Sequence, residues 1–332
     1  MVGWRQSMSI ESPVAAKHLP LPEIVRRHIP HGAQLGIGGF TVSRNPMAMI
    51  HEIIRQSVRD LHLVCHSNGQ ALDLLVGAGC VRRVELAYAG NGRYAPTCIR
   101  FRRAMERGEL ECEDYSNLQM ALRFLAGSLG LPFIPSPSGQ GSDILNLQGF
   151  CEATRQEPKV APRKWSTLNN PFSSTKEATV VLPALTPDVV ILHAQVVGAD
   201  GSVRIDGLKF ADVEQARAAQ TLIVTAERMV PSELMRCEPD RNVLPGFMVD
   251  AFSIVPFGAH PTSCFGEYDV DPQHLARYRA AASDDVHFDA YLRQFIYETR
   301  DHPAYLERIG ENHLESLRAD PHSGYATGLN RK

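Results

Sequence analysis

Residues 33–46 read AQLGIGGFTVSRNP, with three glycines inside four positions at the end of an apolar run. Ala33–Gly38 reads as a buried strand ending in glycine. A helix is expected near Asn45–Val58, with Ser43 as candidate N-cap and Pro46 in the first turn, where its missing N–H costs least. Met47, Ile50 and Ile54 fall on one helical face. This strand, glycine turn and helix set the rhythm of the chain from about residue 20 to 260. Leu61–His66 and Arg83–Ala89 read as further short strands. A second helix starts at Ser116, carries Leu118, Ala121, Leu122, Leu125 and Leu129 at spacings of three and four, and stops at Gly130-Leu131-Pro132. Such alternation argues for an α/β fold: an open, mostly parallel sheet flanked by helices.

Residues 135–178 break the rhythm. Pro135, Pro137, Pro158, Pro162 and Pro171 stand among Ser, Gln and Asn, so the stretch reads as an irregular excursion, functional or disordered. The sheet resumes at Asp188–Val197, turns at Ala199-Asp200-Gly201-Ser202 and returns over Val203–Asp206. Thr221–Thr225 and Met248–Pro256 read as buried strands. From Gln273 to about Leu317 the pattern is helical and charged, and PHSGYATGLNRK closes the chain as an extended tail. The expected organisation is an N-terminal extension over 1–19, an α/β domain over 20–270 and a C-terminal helical segment with tail over 271–332.

The 332 residues are 44% hydrophobic and 21% charged, with a net charge of −3, which is ordinary globular composition. No basic block points to nucleic acid. No apolar run reaches the ~18 residues of a membrane helix, and the first twenty residues lack the apolar core of a signal peptide. A cytoplasmic location is expected. The seven cysteines are scattered without a CxxC pair, so they read as reduced thiols in or near the core. His51-Glu52 is followed by Ile-Ile-Arg, which fails the HExxH zinc pattern; no metal is indicated. His260 and Cys264 fit a turn after a buried strand better than a catalytic pair.

The glycine stretch is not a dinucleotide fingerprint. Gly36 and Gly38 fit, but Thr41 stands at the sixth position, and the next strand ends in Cys65-His66-Ser67-Asn68-Gly69 without the acid a ribose requires. No Gly-Lys-Ser/Thr follows either. By itself Gly38-Gly39-Phe40 is either a tight turn or a place where a ligand approaches the backbone closely.

The combination of stretches is more specific. Leu35-Gly36-Ile37-Gly38-Gly39-Phe40 with Pro46 behind it resembles the glycine-rich signature of family I CoA-transferase α subunits. Glu113-Asp114-Tyr115-Ser116, Leu131-Pro132-Phe133-Ile134-Pro135, Gln140-Gly141-Ser142, Asn170-Pro171-Phe172, Ile191-Leu192-His193-Ala194-Gln195 and Gly258-Ala259-His260-Pro261 resemble the glutaconate-type branch. The resemblance runs over roughly 20–315. It implies the α-subunit type of this fold and a two-chain enzyme. It also implies exchange of CoA between acids through a mixed anhydride and an enzyme glutamyl-CoA thioester. CoA thioester is then a substrate, and no cofactor is held.

In that family the nucleophile stands in a Ser-Glu-Asn-Gly stretch of the β subunit. The equivalent stretch here, His66-Ser67-Asn68-Gly69, has no glutamate. The resemblance therefore implies a β-type partner that supplies it, with no catalytic residue in this chain. Glu113 is the first acid to test otherwise, against a structural role just before the Ser116 helix. The expected substrate-binding residues are Gly38, Gly39, Phe40, Thr41, Arg44, Ser67, Asn68, Asn91, Arg93 and Gln140. The loop amides would face oxyanions or carboxylates, and Arg44 would either meet a carboxylate or stand as a solvated loop cation. One departure concerns the acid: Gly92 replaces a serine of the glutaconate enzyme, so either Arg93 takes over that contact or the acid differs. Relatives that hydrolyse or decarboxylate CoA thioesters supply the alternative reaction.

Overall fold

The computed structural model describes residues 17–329. The expected N-terminal extension up to residue 16 and the last three residues of the tail lie outside the described residues. The fold is α/β, with a nine-stranded main sheet. Strands β1 (Gln34–Ile37), β2 (Leu61–Asn68), β3 (Val81–Ala89) and β4 (Glu111–Asp114) run parallel, each beside the last. A separate antiparallel sheet of β5 (Phe133–Ser136), β6 (Ser166–Asn169) and β7 (Ala178–Pro183) has β7 in the middle. The main sheet resumes with β8 (Val189–Gly198), β9 (Val203–Arg204), β10 (Thr221–Val230), β11 (Asn242–Leu244) and β12 (Ala251–Ile254).

β8 inserts beside β1, not beyond β4, and β10 and β12 follow on its other side, all parallel. The chain thus winds outward from β1 in one direction and from β8 in the other. Their junction is the topological switch point, and open α/β sheets bind ligands at the carboxyl ends of strands there. Along that edge of β8, β1 covers Val189–Ile191 and β9 covers Val196–Val197. In the interval between them, Leu192 packs against Gly38 of the glycine loop.

Helices cover both faces. Leu63 and Cys65 of β2 share a cluster with α1 (Leu21–His28), α2 (Met47–Arg55) and α3 (Gln70–Gly77), whereas Val64 packs on the other side with Met120 and Phe124. That is the period-two alternation of a strand buried on both faces. Next come α4 (Ile99–Glu106), α5 (Asn117–Ser128), α6 (Asp212–Ala218) and α7 (Ser232–Cys237). The C-terminal helices are α8 (Pro272–Ala282), α9 (Asp285–Leu292), α10 (His302–Ile309) and α11 (Glu311–Ser316). Tyr278, Phe288, Phe295 and Tyr305 from this last part belong to the same cluster as α2 and α3.

Several local expectations differ from the structure. Ser43 does not cap α2: its carbonyl accepts the Phe40 N–H at 2.8 Å, and the helix begins behind Pro46 without a side-chain cap. Ser116 does cap α5, in a reciprocal box with Gln119. The leucines of α5 are not its core face, however. Leu118 and Leu129 are exposed while Met120, Arg123 and Phe124 are buried, because Arg123 reaches under the sheet to Glu85 at 2.7 Å. The 135–178 stretch is not irregular throughout, since β6 and the end of β5 lie in it. Pro135 is tolerated because β5 is an edge strand. The tail is not extended: Tyr325 meets Phe265 edge-on at 5.2 Å, and Ala326 donates its N–H to Asp269 at 2.9 Å.

Candidate active site

The carboxyl ends of β1, β2 and β3 converge at the switch point. β1 stops where Gly38 donates to the Ile191 carbonyl at 3.0 Å. A Cβ on Gly38 would lie 2.2 Å from Leu192 Cδ2, and one on Gly39 would lie 2.4 Å from the Ser43 carbonyl oxygen. Gly39 also has φ +80°, so only glycine fits there without strain. Phe40 and Ser43 exchange two backbone hydrogen bonds of 2.8 Å, closing a tight turn in which Thr41 and Arg44 both take left-handed backbone angles.

Asp212, the first residue of α6, holds this turn from outside. Its Oδ1 accepts the Gly39 N–H at 2.9 Å, and its Oδ2 pairs with Arg44 Nη2. Arg44 Nη1 donates to the Leu208 carbonyl at 2.9 Å, and the Arg44 and Asp212 side chains are both buried. Arg44 is therefore neither a solvated cation nor an open carboxylate receptor; its charge is spent on Asp212. Phe40 stacks on Phe210 with ring centroids 4.5 Å apart and lies 5.6 Å from the His66 ring. Burial lowers the pKa of His66, against a backbone hydrogen bond at Asn117 and the carboxylates of Asp212 and Glu214, which raise it.

The β2 end is stitched to the same turn. Thr41 donates to the Ser67 carbonyl at 3.2 Å, and Ser67 Oγ donates to Asn117 Oδ1 at 2.5 Å. Asn68 Oδ1 accepts the Leu72 N–H at 3.1 Å, which ties the start of α3 to β2. Gly69 permits the approach of β3's end, since a Cβ there would lie 2.2 Å from Asn91 Oδ1 and 2.7 Å from the Thr41 carbonyl oxygen. Asn91 Nδ2 donates to Gln70 Oε1 at 3.0 Å; the other amide atom of each, Asn91 Oδ1 and Gln70 Nε2, is buried without a partner among the described residues.

Gly38, Gly39, Phe40, Thr41, Arg44, Ser67, Asn68 and Asn91 are thus brought together. Three other expected residues stand elsewhere. The Arg93 guanidinium lies 5.2 Å over the Tyr94 ring on the exposed 3₁₀ turn after β3. Gln140 is exposed and donates to the Ala178 carbonyl of the small sheet at 3.0 Å. Glu113 is sealed in the core, where its Oε1 pairs with Arg155 and accepts the Gly149 N–H at 3.3 Å while Tyr115 donates to Oε2 at 3.3 Å.

The loop amides are also committed. From Gly38 to Arg44 every N–H except that of Val42 has a protein acceptor among the described residues. The expected row of bare donors is therefore reduced to one. The glycines serve close packing at the switch point, and the donor left over belongs to Val42.

Behind the loop, His193 Nε2 lies 2.7 Å from Glu227 Oε1, and this carboxylate also receives Phe257 N–H, Gly258 N–H and the Tyr268 hydroxyl. His193, Glu227 and Cys264 offer ligand-type atoms within 4.8 Å of one another. A carboxylate holding this many donors has little left for a cation. His260 is occupied by Tyr305 at 2.7 Å and Asp271 at 3.0 Å, consistent with its reading as part of a turn.

Asp212, Phe210, His66 and Asn117 join the site without a sequence signal that marks them. Asp212 lies 173 positions from Gly39, and no local pattern announces that contact. His66 stands in plain view inside the HSNG stretch, but nothing near it in sequence points to the Phe40 ring.

Residues 21–253 match the Coenzyme A transferase family model. The chain is 35% identical to the A subunit of glutaconate CoA-transferase from Acidaminococcus fermentans, over 96% of this chain and 99% of that one. It is 33% identical to the A subunit of 3-oxoadipate CoA-transferase from Pseudomonas knackmussii, over 89% of this chain and 99% of that one. The crystal structure of the A. fermentans enzyme superposes with a TM-score of 0.90 at 36% identity, covering 93% and 98% of the two chains. The decarboxylase AibA/AibB superposes with a TM-score of 0.70 at 34% identity, covering 83% and 98%. No helix among the described residues is long and apolar enough to cross a membrane. The glycine turn at the switch point and a match that spans the whole main sheet agree: this chain belongs to the coenzyme A transferase family.

Proposed function

We propose that this chain is the α subunit of a heteromeric CoA-transferase that moves CoA between an acyl-CoA and a small or medium carboxylic acid. A β-type partner supplies the nucleophilic glutamate. The observation that carries the reading is that no glutamate stands at the β2 end among the described residues. The β2 end presents Ser67 and Asn68 at the switch point, and the first candidate acid, Glu113 on β4, is locked against Arg155. The A. fermentans and P. knackmussii relatives are both named as one subunit of their enzymes, which supports a two-chain enzyme.

In this reading the partner's carboxylate oxygen attacks the thioester carbonyl carbon and CoA leaves as thiolate, giving a mixed anhydride. The thiolate then attacks the glutamyl carbonyl, releasing the first acid and leaving a glutamyl-CoA thioester. An incoming carboxylate runs the same steps backward. Dividing the transfer this way replaces one hard step by easier ones. This chain supplies the fixed wall: the Phe40–Phe210 stack excludes water, and the clamped turn holds its shape without reorganising as charge develops. CoA thioester is substrate, and the chemistry calls for no held cofactor.

The test is thioester exchange by this chain alone and with the co-expressed β-type subunit. Exchange by the complex only is expected; full exchange by the isolated chain contradicts the reading. A second reaction, decarboxylation or hydrolysis of a CoA thioester by the same assembly, draws support from the AibA/AibB likeness. A glutamate at the partner's Ser-Glu-Asn-Gly position favours transfer, and another residue there favours the second.

A further inference from the structure

The hairpin of β6 and β7 turns through Asn170-Pro171-Phe172, and Phe172 is 96% exposed. Burying an aromatic ring is among the larger gains open to a side chain, yet nothing among the described residues covers this one. The tip is nevertheless a built turn. Asn170 donates its N–H to the Glu177 carbonyl at 2.9 Å, and Asn170 Oδ1 accepts the Phe172 N–H at 3.0 Å. The Ser173 N–H closes on the Asn170 carbonyl at 3.3 Å, and the Lys176 N–H on the Ser173 carbonyl at 3.2 Å. A fixed backbone thus presents the ring, which lowers the ordering cost of binding.

Strand register sets where the tip stands. β5 and β6 both run antiparallel to β7, so Ser136 and Asn169 end on the same side of the small sheet. Just beyond Ser136, the Ser138 carbonyl accepts from Gln119 Nε2 at 3.0 Å, and Gln140 donates to the Ala178 carbonyl at 3.0 Å. Gln119 lies in the first turn of α5, where Asn117 Oδ1 takes the Ser67 hydroxyl at 2.5 Å. The hairpin tip therefore stands at the end of the small sheet that borders the switch point. At the same end α5 exposes Leu118, 57% open. The outer side of this helix carries no charge, because its one ionisable residue, Arg123, is buried on Glu85. A helix face that stays in water ordinarily carries charged side chains.

We propose that Phe172 is the anchor by which the β-type subunit docks on this chain, with Leu118 as a second contact beside the site. The proposal rests on the two-chain reading and adds the surface that joins the chains. No glutamate stands at the β2 end among the described residues, so the chain that supplies one must cover what borders that end. A partner so placed meets the rigid hairpin and the uncharged first turn of α5. It receives the Phe172 ring in an apolar pocket on the face that carries its own reactive glutamate. Interfaces concentrate their binding energy in a few aromatic anchors of this kind. A second copy of this chain, the rival occupant, brings no glutamate at its β2 end.

The test places Phe172→Asp, Phe172→Tyr and Leu118→Ser in complexes of the full chain with the β-type subunit, and follows dissociation on dilution by analytical ultracentrifugation. Phe172→Asp is expected to weaken the complex at least ~30-fold and Leu118→Ser about 5-fold. Phe172→Tyr keeps the ring and is expected to stay within about 3-fold. The isolated Phe172→Asp chain should melt with the unaltered one. An unchanged dissociation constant for Phe172→Asp overturns the proposal. So does a lower melting temperature of that isolated variant, which would show the ring packed within its own chain. A dimer of the isolated chain that Phe172→Asp splits would give the surface to a second copy, and overturns it as well. If the complex assembles through Phe172 but exchanges no thioester, the transferase reading fails and the docking surface stands.

Discussion

Asp212 reaches across 173 positions of sequence to accept the Gly39 N–H at 2.9 Å, and its other oxygen neutralises Arg44 in the same turn. One buried carboxylate thereby fixes both ends of the glycine loop. Asp212→Ala leaves the Arg44 guanidinium buried without its counter-charge, and such losses cost about 3–5 kcal/mol. Asp212→Asn keeps an acceptor for Gly39 and is expected to cost less. In the complex both variants should lower kcat more than they raise KM, because the turn shapes the wall around the reacting carbonyl. Urea unfolding and steady-state kinetics on the two variants check the order.

The two loop glycines are expected to differ in tolerance. A Cβ on Gly38 meets the end of the Leu192 side chain, which can move, whereas one on Gly39 meets backbone at 2.4 Å and must hold φ +80°. Backbone strain of this kind costs about 1–3 kcal/mol before the clash is counted. Thermal unfolding of Gly39→Ala should therefore fall below that of Gly38→Ala. The reverse order would show that the turn relaxes.

Acid should destabilise the protein from neutral pH downward. Burial lowers the pKa of His51, His260, His274 and His302, in the last case to about 4. Unfolded histidine takes up its proton near 6.5, so between that pH and about 4 the unfolded chain binds more protons and stability falls with pH. Each such group contributes a slope of about 1.4 kcal/mol per pH unit. Asp73 works the other way: burial raises its carboxyl to about 6, so the folded state takes up its proton first. The histidines act from neutral pH and Asp73 only below about 6, so stability should fall most clearly between pH 7 and 6, measured by urea unfolding at pH 7, 6 and 5. His302→Asn should make that fall shallower.

Glu113 is expected to matter for stability and not for chemistry. Glu113→Gln weakens the buried pair with Arg155, and chemical unfolding should shift to lower denaturant. Exchange by the complex should stay within about 2-fold. A loss of several hundred-fold would return Glu113 to the reaction.

The sheet is legible in the sequence where one period rules locally. The strand before Gly38 and the cap at Ser116 need only neighbours within a few residues to be read. The core face of α5 is not legible that way, because a buried arginine, Arg123, takes the place expected for leucines. It does so by meeting Glu85, which Arg123 and His62 hold down to about 2 despite burial. Arg44 looks like a loop cation in the sequence because its partner, Asp212, follows 168 residues later. The glycines stand out for good reason, but they serve packing more than bare amides: only the tertiary contacts reveal which N–H groups are already spent. Likewise the tail reads as extended until Asp269 and Phe265 give it something to fold onto.

The central claim is that this chain frames a site whose reactive carboxylate belongs to its partner. Its most direct test is peptide mapping by mass spectrometry of the complex after brief incubation with acyl-CoA and borohydride reduction. The modified residue is expected to be a glutamate of the β-type subunit, with the peptide containing Glu113 unaltered. A modified glutamate or aspartate in this chain would contradict the claim.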